Sequence, residues 1–164
     1  MKEKLGPSVS PIDHGAPGLN GLYVAYSRHD VSDVQRLPQD RPTILVVEDD
    51  FLIAMEVEMA LTQAGFTVVT ASSADEALSM GALHHPALAV MDIRLHGPRD
   101  GVDAAIDLYR EHGIRSIFAS AHGDQEITRR VQPASPLAWL QKPYTTTSLI
   151  EAIEKALREL KPVQ

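Results

Sequence analysis

The chain contains no cysteine, few aromatic residues (5%) and no long apolar run. The absence of thiols excludes disulfide bonds, thiolate catalysis and metal sites built on cysteine. No stretch reaches the roughly 18 apolar residues that a membrane-spanning helix requires, and the first residues lack the apolar core of a signal peptide. We therefore expect a cytoplasmic protein with no membrane partner.

Positive charge is also scarce, because 15 Lys and Arg residues face 22 Asp and Glu residues, for a net charge of -7. Nucleic acids and anionic membranes bind to basic surfaces, so we expect no nucleic acid partner. The hydrophobic fraction of 44% is ordinary for a folded protein, and 164 residues are about one domain's worth.

Residues 1–40 differ from the rest of the chain. Prolines and glycines break any periodic pattern there, and polar residues fill the gaps. We predict an N-terminal extension over 1–40, flexible in the simplest interpretation, and a folded domain over 41–164. Apolar residues within 19–26 leave a second interpretation open, in which this segment packs on the domain or on a partner.

From Thr43 onward, apolar runs of strand length alternate with helical patterns. The first run is apolar throughout, as is typical of a strand covered on both faces. Ser73 and Glu76 have the spacing of a capping box at the start of the second helix. Five β–α units with short connections predict an α/β fold, with a doubly wound, five-stranded parallel sheet and helices on both faces. The predicted strands are 44–47, 66–70, 88–91, 116–119 and 138–141; the predicted helices are 51–64, 74–83, 102–111, 125–131 and 146–160.

Three carboxylates are predicted to meet at one edge of this sheet. Glu48 and Asp49 follow the first strand, and Asp92 follows the third. If these strands are neighbours, their carboxyl ends share one crevice, which is where open α/β sheets build their sites. Like charges at such short range repel each other unless a proton or a divalent cation is bound. Oxygen ligands favour Mg²⁺ over zinc, and a carboxylate beside such an ion can accept a phosphoryl group.

Two further loops at the same edge carry groups that suit phosphoryl chemistry. Strand four is followed by Ser120 and Ala121, which offer a hydroxyl and a backbone N–H, and strand five is followed by Lys142 and Pro143. A transferring phosphoryl group spreads its charge over three oxygens. Mg²⁺, the Lys142 ammonium and the Ser120–Ala121 pair would serve one oxygen each.

Taken together, these loops resemble the receiver domain of two-component response regulators. The resemblance covers about residues 42–162 and implies a flavodoxin-like fold of the receiver type in a stand-alone, single-domain response regulator. Four separate loops agree in order and spacing, which makes the match specific. Their sequences are Val-Val-Glu48-Asp49-Asp50, Met91-Asp92-Ile93, Ala119-Ser120-Ala121 and Lys142-Pro143-Tyr144.

The resemblance implies a role for each acidic residue. Asp92 would accept a phosphoryl group from a sensor histidine kinase or a histidine phosphotransfer protein. Glu48 and Asp49 would hold Mg²⁺ together with Asp92 and the backbone carbonyl of Arg94. Glu48 would act through water.

It also implies how the phosphoryl group is bound and sensed. Ser120 and Ala121 would bind the group, and Lys142 would pair first with Asp92 and later with a phosphoryl oxygen. The bond from Lys142 to Pro143 would be cis. When Ser120 moves, the aromatic residue three positions before the lysine would swing inward. Here that residue is Trp139, where tyrosine or phenylalanine is usual, so a fixed surface anchor stays the alternative to a switch.

The predicted output runs through protein partners. The closing helix ends the pattern, no DNA-binding module is visible, and residues 1–40 are too short and polar for an output domain. We therefore expect a downstream protein target or a phosphorelay. The chain would catalyse its own phosphorylation and dephosphorylation, and no turnover of a separate substrate is predicted.

Other functions are weighed against this one. A receiver-like interaction module that ignores phosphorylation would not need the intact loop residues. A flavodoxin-like cofactor binder would repel its flavin phosphate with Glu48, Asp49 and Asp50, and a haloacid-dehalogenase-type phosphatase needs an Asp-x-Asp loop that is missing here. His84 and His85 have no ligand spacing that suggests zinc.

Overall fold

The structure is a computed structural model that describes residues 41–121 and 125–160. The predictions for residues 1–40 lie outside these ranges. The described part contains one five-stranded parallel sheet with the strand order β2-β1-β3-β4-β5. The strands are β1 (Thr43–Val47), β2 (Thr67–Ala71), β3 (Leu88–Asp92), β4 (Ser116–Ser120) and β5 (Ala138–Gln141).

Five helices connect or follow these strands. None of them, within the described residues, is both long and apolar enough to cross a lipid bilayer. A short 3₁₀ turn at Gln132–Ala134 lies between the fourth helix and β5. The helices are α1 (Phe51–Gln63), α2 (Ala74–His84), α3 (Gly101–His112), α4 (Gln125–Arg130) and α5 (Thr146–Leu160).

The predicted α/β fold is confirmed, and all ten predicted elements are present. All observed ends agree with the predicted ends to within one residue. Strand β2 is shifted by one residue, and α4 ends at Arg130 because Pro133 enters the 3₁₀ turn. One detail of capping was wrong. Ser73 Oγ accepts the Glu76 N–H as predicted, but the Glu76 carboxylate binds Ser72 rather than Ser73.

The core forms two layers because the strands are covered on both faces. Leu45 and Val47 of β1 pack on the side that carries α2 and α3. Ile44 and Val46 point to the opposite side, where they pack with residues of α1 and α5. Burial on both faces explains why β1 is apolar at every position. The strand ends therefore project from a sheet that is buried on both faces.

The strand order fixes where a site can form. The chain runs outward from β1 to β2 and then crosses back to β3, so the connections after β1 and β3 leave the sheet in opposite directions. A crevice opens between them at the carboxyl ends of the strands. The residues that follow β1 and β3 therefore face each other across this crevice.

Gly101 holds the loop after β3 close to the sheet. Its N–H donates to the Ile93 carbonyl at 3.0 Å, and a Cβ at this position would lie 1.8 Å from the Asp92 carbonyl oxygen. A side chain can therefore be accommodated only if the backbone of this loop moves.

We predict that Gly101→Ala lowers the free energy of unfolding by about 1–3 kcal/mol, the usual cost of overpacking. Denaturant unfolding would measure the change. Gly81→Ala is the matched control, because its Cβ would meet the end of the Leu108 side chain, which can move more easily than backbone. A Gly101→Ala protein as stable as the wild type would contradict this account of the loop.

Candidate functional site

Three carboxylates come together at the crevice between β1 and β3. Glu48, Asp49 and Asp92 each offer an oxygen, and these oxygens lie within 4.8 Å of one another. We call this group the acidic crevice. Among residues 41–121 and 125–160, it is the one group of three or more His, Asp or Glu side chains placed to hold a metal ion. His84 and His85 take no part in it.

The local backbone explains why two consecutive acidic residues enter the crevice and the third does not. The Glu48 N–H donates to the Ala71 carbonyl at 3.0 Å, which extends the β1–β2 pairing by one residue. Asp50 is the N-cap of α1 and accepts the N–H groups of Leu52 and Ile53. Asp49 lies between the strand end and the helix cap, so the turn directs it into the crevice.

Lys142 joins two of the three carboxylates. Its Nζ donates to Glu48 Oε2 at 2.8 Å and to Asp92 Oδ2 at 2.9 Å. The backbone of Lys142 is fixed by an N–H bond to the Ser120 carbonyl at 2.8 Å, and its peptide bond to Pro143 is cis. A single side chain thus links the ends of β1, β3 and β5.

The electrostatics of the crevice are dominated by burial and by this lysine. Burial raises the pKa of Glu48, and the negative charge of Asp92 adds to the rise, against the opposing effect of Lys142. Burial alone would lower the pKa of Lys142, but its bonds to Glu48 and Asp92 outweigh burial and raise that pKa. The lysine stays charged, yet one ammonium balances only one of three carboxylates. The crevice therefore favours an additional cation.

The residues fit Mg²⁺ by their chemistry. All three side chains offer hard oxygen atoms, which Mg²⁺ prefers, and one or two carboxylates with water complete most of its sites in proteins. Glu48 and Asp92 are partly engaged by Lys142, whereas Asp49 is not bonded to it. The carbonyl of Arg94, two residues after Asp92, is the further ligand that the resemblance implies, and this role stays a prediction.

Asp92 remains accessible although both of its oxygens have partners. Oδ2 accepts from Lys142, and Oδ1 accepts the Arg94 N–H at 3.2 Å. The side chain is 12% exposed, whereas that of Glu48 is 7% exposed. Asp92 is thus a fixed carboxylate that a small reactant can reach from solvent.

Ser120 and Ala121 lie beside the acidic crevice at the end of the neighbouring strand. Asp92 pairs with Ala119 in the register of β3 and β4, so Ser120 stands one residue beyond the aspartate. Ser120 is half-buried and Ala121 is exposed. Both residues therefore lie at the same sheet edge as Lys142.

Trp139 lies on β5 with part of its ring in solvent. It is 39% exposed and stacks on Phe118, with ring centroids 5.2 Å apart. A cleft of about 420 Å³ is lined by Trp139, Ser120 and Thr128, together with Leu140 and Gln141. The partly exposed indole and Ser120 therefore border the same cleft.

One residue of the site was missed from the sequence. The His96 ring contacts the Asp49 carboxylate through Nδ1, and the His96 backbone N–H donates to the same Asp49 oxygen at 3.1 Å. Burial would raise the pKa of Asp49, but these contacts outweigh it and lower that pKa. The sequence signal for this contact was a polar imidazole four residues after Asp92, in a loop that had to return past the crevice.

Comparison with known proteins gives concordant matches. A family model described as the response regulator receiver domain matches residues 44–154. The transcriptional regulatory protein PdtaR of Mycobacterium tuberculosis is 31% identical over 121 residues, which cover 73% of this chain and 58% of that protein. The chain thus spans little more than half the length of this relative.

Solved structures with the same fold are also similar. The signal receiver domain of a modulated diguanylate cyclase from Desulfovibrio desulfuricans G20 matches with a TM-score of 0.69 and 30% identity, covering 74% of this chain and 97% of that chain. A CheY-like receiver domain protein from Methanospirillum hungatei JF-1 matches with a TM-score of 0.69 and 25% identity, over the same shares of the two chains.

We predict that Mg²⁺ stabilises the folded protein. The carboxylates of the acidic crevice repel one another only when folding brings them together, and a bound cation would reduce this repulsion. At 100 times its dissociation constant, a ligand specific for the folded state adds about 2.7 kcal/mol to the free energy of unfolding. Thermal unfolding with and without MgCl₂ at constant ionic strength would measure this gain.

Asp49→Asn should abolish most of the gain, whereas Glu154→Gln, at an exposed position of α5, should preserve it. Equal gains in all three proteins would show that Mg²⁺ acts elsewhere.

Proposed function

We propose a function from one premise: the chain belongs to the response regulator receiver domain family. In this proposal, Asp92 accepts a phosphoryl group from a phosphohistidine on a sensor kinase or a histidine phosphotransfer protein. The observation that carries it is the contact of Lys142 with Asp92 inside a cluster of carboxylates that suits Mg²⁺.

The transfer would proceed by attack of an Asp92 oxygen on phosphorus. The phosphorus–nitrogen bond of the donor breaks, the imidazole nitrogen takes the electron pair, and an acyl phosphate forms on Asp92. Hydrolysis of that acyl phosphate by water would later restore the carboxylate and release inorganic phosphate. Beyond the phosphodonor and water, this cycle would turn over no separate substrate.

The groups around Asp92 would provide electrostatic stabilisation. Bound Mg²⁺, held by Asp49, Asp92 and the Arg94 carbonyl, would supply positive charge to one phosphoryl oxygen. Lys142 would exchange its bond with Asp92 Oδ2 for a bond to a second oxygen. The Ser120 hydroxyl and the Ala121 N–H would serve the third. Glu48 would keep Lys142 in place and reach the ion through water.

Phosphorylation would be sensed by Ser120 and Trp139. If Ser120 moves toward the phosphoryl group, the cleft beside it provides space into which the indole can turn. Such a turn would break the stacking on Phe118 and change the exposed surface near β5. A downstream protein would then bind one state of that surface in preference to the other.

The phosphodonor protein would dock on α1. Four large apolar side chains form a continuous outer surface on this helix, which begins directly after the acidic crevice. We call this surface the α1 stripe, and its residues are Phe51, Leu52, Met55 and Met59, exposed by 75%, 67%, 41% and 54%. Exposed apolar patches with polar borders mark protein-binding sites. A donor histidine bound here would have a short path to Asp92.

A cytoplasmic location, the downstream target and the lack of a nucleic acid partner stay predictions from the sequence. The cytoplasmic location is consistent with the proposal, because the donor and acceptor groups must meet in one compartment.

Acetyl phosphate with Mg²⁺ tests the phosphoryl acceptor directly. We expect the protein to gain one phosphoryl group on Asp92, measured by mass spectrometry of the intact chain and of its peptides. The emission of Trp139, which is the sole tryptophan, should change in parallel. Asp92→Asn should show neither effect. Phosphorylation at another residue, or none, would favour the interaction module that does not use phosphorylation.

Docking on the α1 stripe predicts that a substitution there slows transfer from a donor protein but not from a small-molecule donor. Met59→Gln should reduce phosphotransfer from the cognate histidine donor by about tenfold, since a well-buried interface residue is worth 1 kcal/mol or more. Phosphorylation by acetyl phosphate should be unchanged, because that donor makes no contact with α1. Phosphotransfer profiling with purified kinases would identify the donor and supply both rates.

Leu83→Gln is the matched control, since Leu83 is 69% exposed on α2. Equal losses in both variants, or losses with acetyl phosphate as well, would contradict docking on α1.

A further inference from the structure

We propose that His96 is a positioning residue, which orients the Asp49 carboxylate so that one defined oxygen faces the magnesium site. This inference rests on the proposed function, because it assumes that Mg²⁺ binds at the acidic crevice. The contact lies outside the four loop motifs that carry the family resemblance.

The contact is specific to one oxygen of Asp49. Both the His96 ring Nδ1 and the His96 backbone N–H point to Oδ2, the latter at 3.1 Å. Two donors on one oxygen fix the rotation of the carboxylate. The other oxygen, Oδ1, takes no part in either contact with His96.

The loop that carries His96 is anchored on either side of the residue. Ile93 and Leu95 are buried (4% and 8% exposed). At the far end, Asp100 caps α3 by accepting the N–H groups of Val102 and Asp103 at 3.0 Å. The backbone N–H of His96 is therefore held near the crevice by the fold itself.

The imidazole of His96, unlike its backbone, is not held in place by the fold. The His96 side chain is 97% exposed, so core packing does not determine its position. Its contact with Asp49 thus serves the carboxylate rather than the fold. Removing the ring should leave the backbone bond and the stability of the protein almost unchanged.

Orientation of a ligand from outside the coordination sphere affects metal affinity. Carboxylates that bind metals are usually hydrogen-bonded by neighbouring groups, and loss of such a partner typically weakens metal binding by 10- to 100-fold. The orientation of Asp49 is especially important here, because Lys142 bonds to Glu48 and Asp92 but not to Asp49. A freely rotating Asp49 would reduce the preorganisation of the site.

The alternative is that His96 competes with Mg²⁺ for Asp49. Both contacts are made to Oδ2, so a cation bound through Oδ1 would displace neither of them. The geometry therefore favours positioning over competition. The two possibilities predict opposite changes in affinity.

Calorimetric titration of the unphosphorylated chain with MgCl₂, at a single pH, would test the proposal. We expect His96→Ala to weaken Mg²⁺ binding by about tenfold. His96→Gln should restore part of the affinity, because its side-chain amide is also a hydrogen-bond donor. His84→Ala, which removes an exposed imidazole from α2, should bind as tightly as the wild type.

Unchanged or tighter binding by His96→Ala would overturn the proposal, and so would equal losses in His96→Ala and His84→Ala. A different result would reject the proposed function itself: a wild-type protein that binds no Mg²⁺ and gains no phosphoryl group from acetyl phosphate. Wild-type phosphorylation combined with an unaffected His96→Ala protein would reject the role of His96 alone.

Discussion

The repulsion among three carboxylates at the ends of β1 and β3 is the constraint on which the site depends. Folding brings Glu48, Asp49 and Asp92 together at a low-dielectric edge of the sheet, and one ammonium group, that of Lys142, bonds to two of them. The remaining negative charge would favour a divalent cation in the crevice, as proposed above. A half-buried carboxylate beside a fixed lysine and a bound cation would be a suitable acceptor for a phosphoryl group.

Much of this arrangement could be predicted from the sequence because parallel strands fix distant residues in a simple way. A strand that is apolar at every position must be covered on both faces, and short connections between strands and helices enforce parallel pairing. Glu48 and Asp92 are 44 positions apart in the sequence, yet both follow a strand end. Their proximity follows from topology alone, without knowledge of side-chain conformations.

The details that sequence reasoning missed depend on loops and side-chain rotamers. His96 reaches Asp49 because buried residues on one side and the Asp100 cap on the other bend the loop back over the crevice, and no periodic pattern signals such a bend. The capping contact of Glu76 went to Ser72 for a similar reason, since two adjacent serines offer equivalent donors. Topology determines which strand ends meet, whereas local geometry determines which atoms touch.

A crystal structure of the protein with Mg²⁺ and beryllofluoride, which mimics the phosphoryl group, tests the central claim most directly. We expect beryllofluoride bound to an Asp92 oxygen, Mg²⁺ between Asp49 and Asp92, and the Lys142 ammonium bonded to a fluorine atom. A crevice without the cation, or a Lys142 side chain directed away from Asp92, would contradict it.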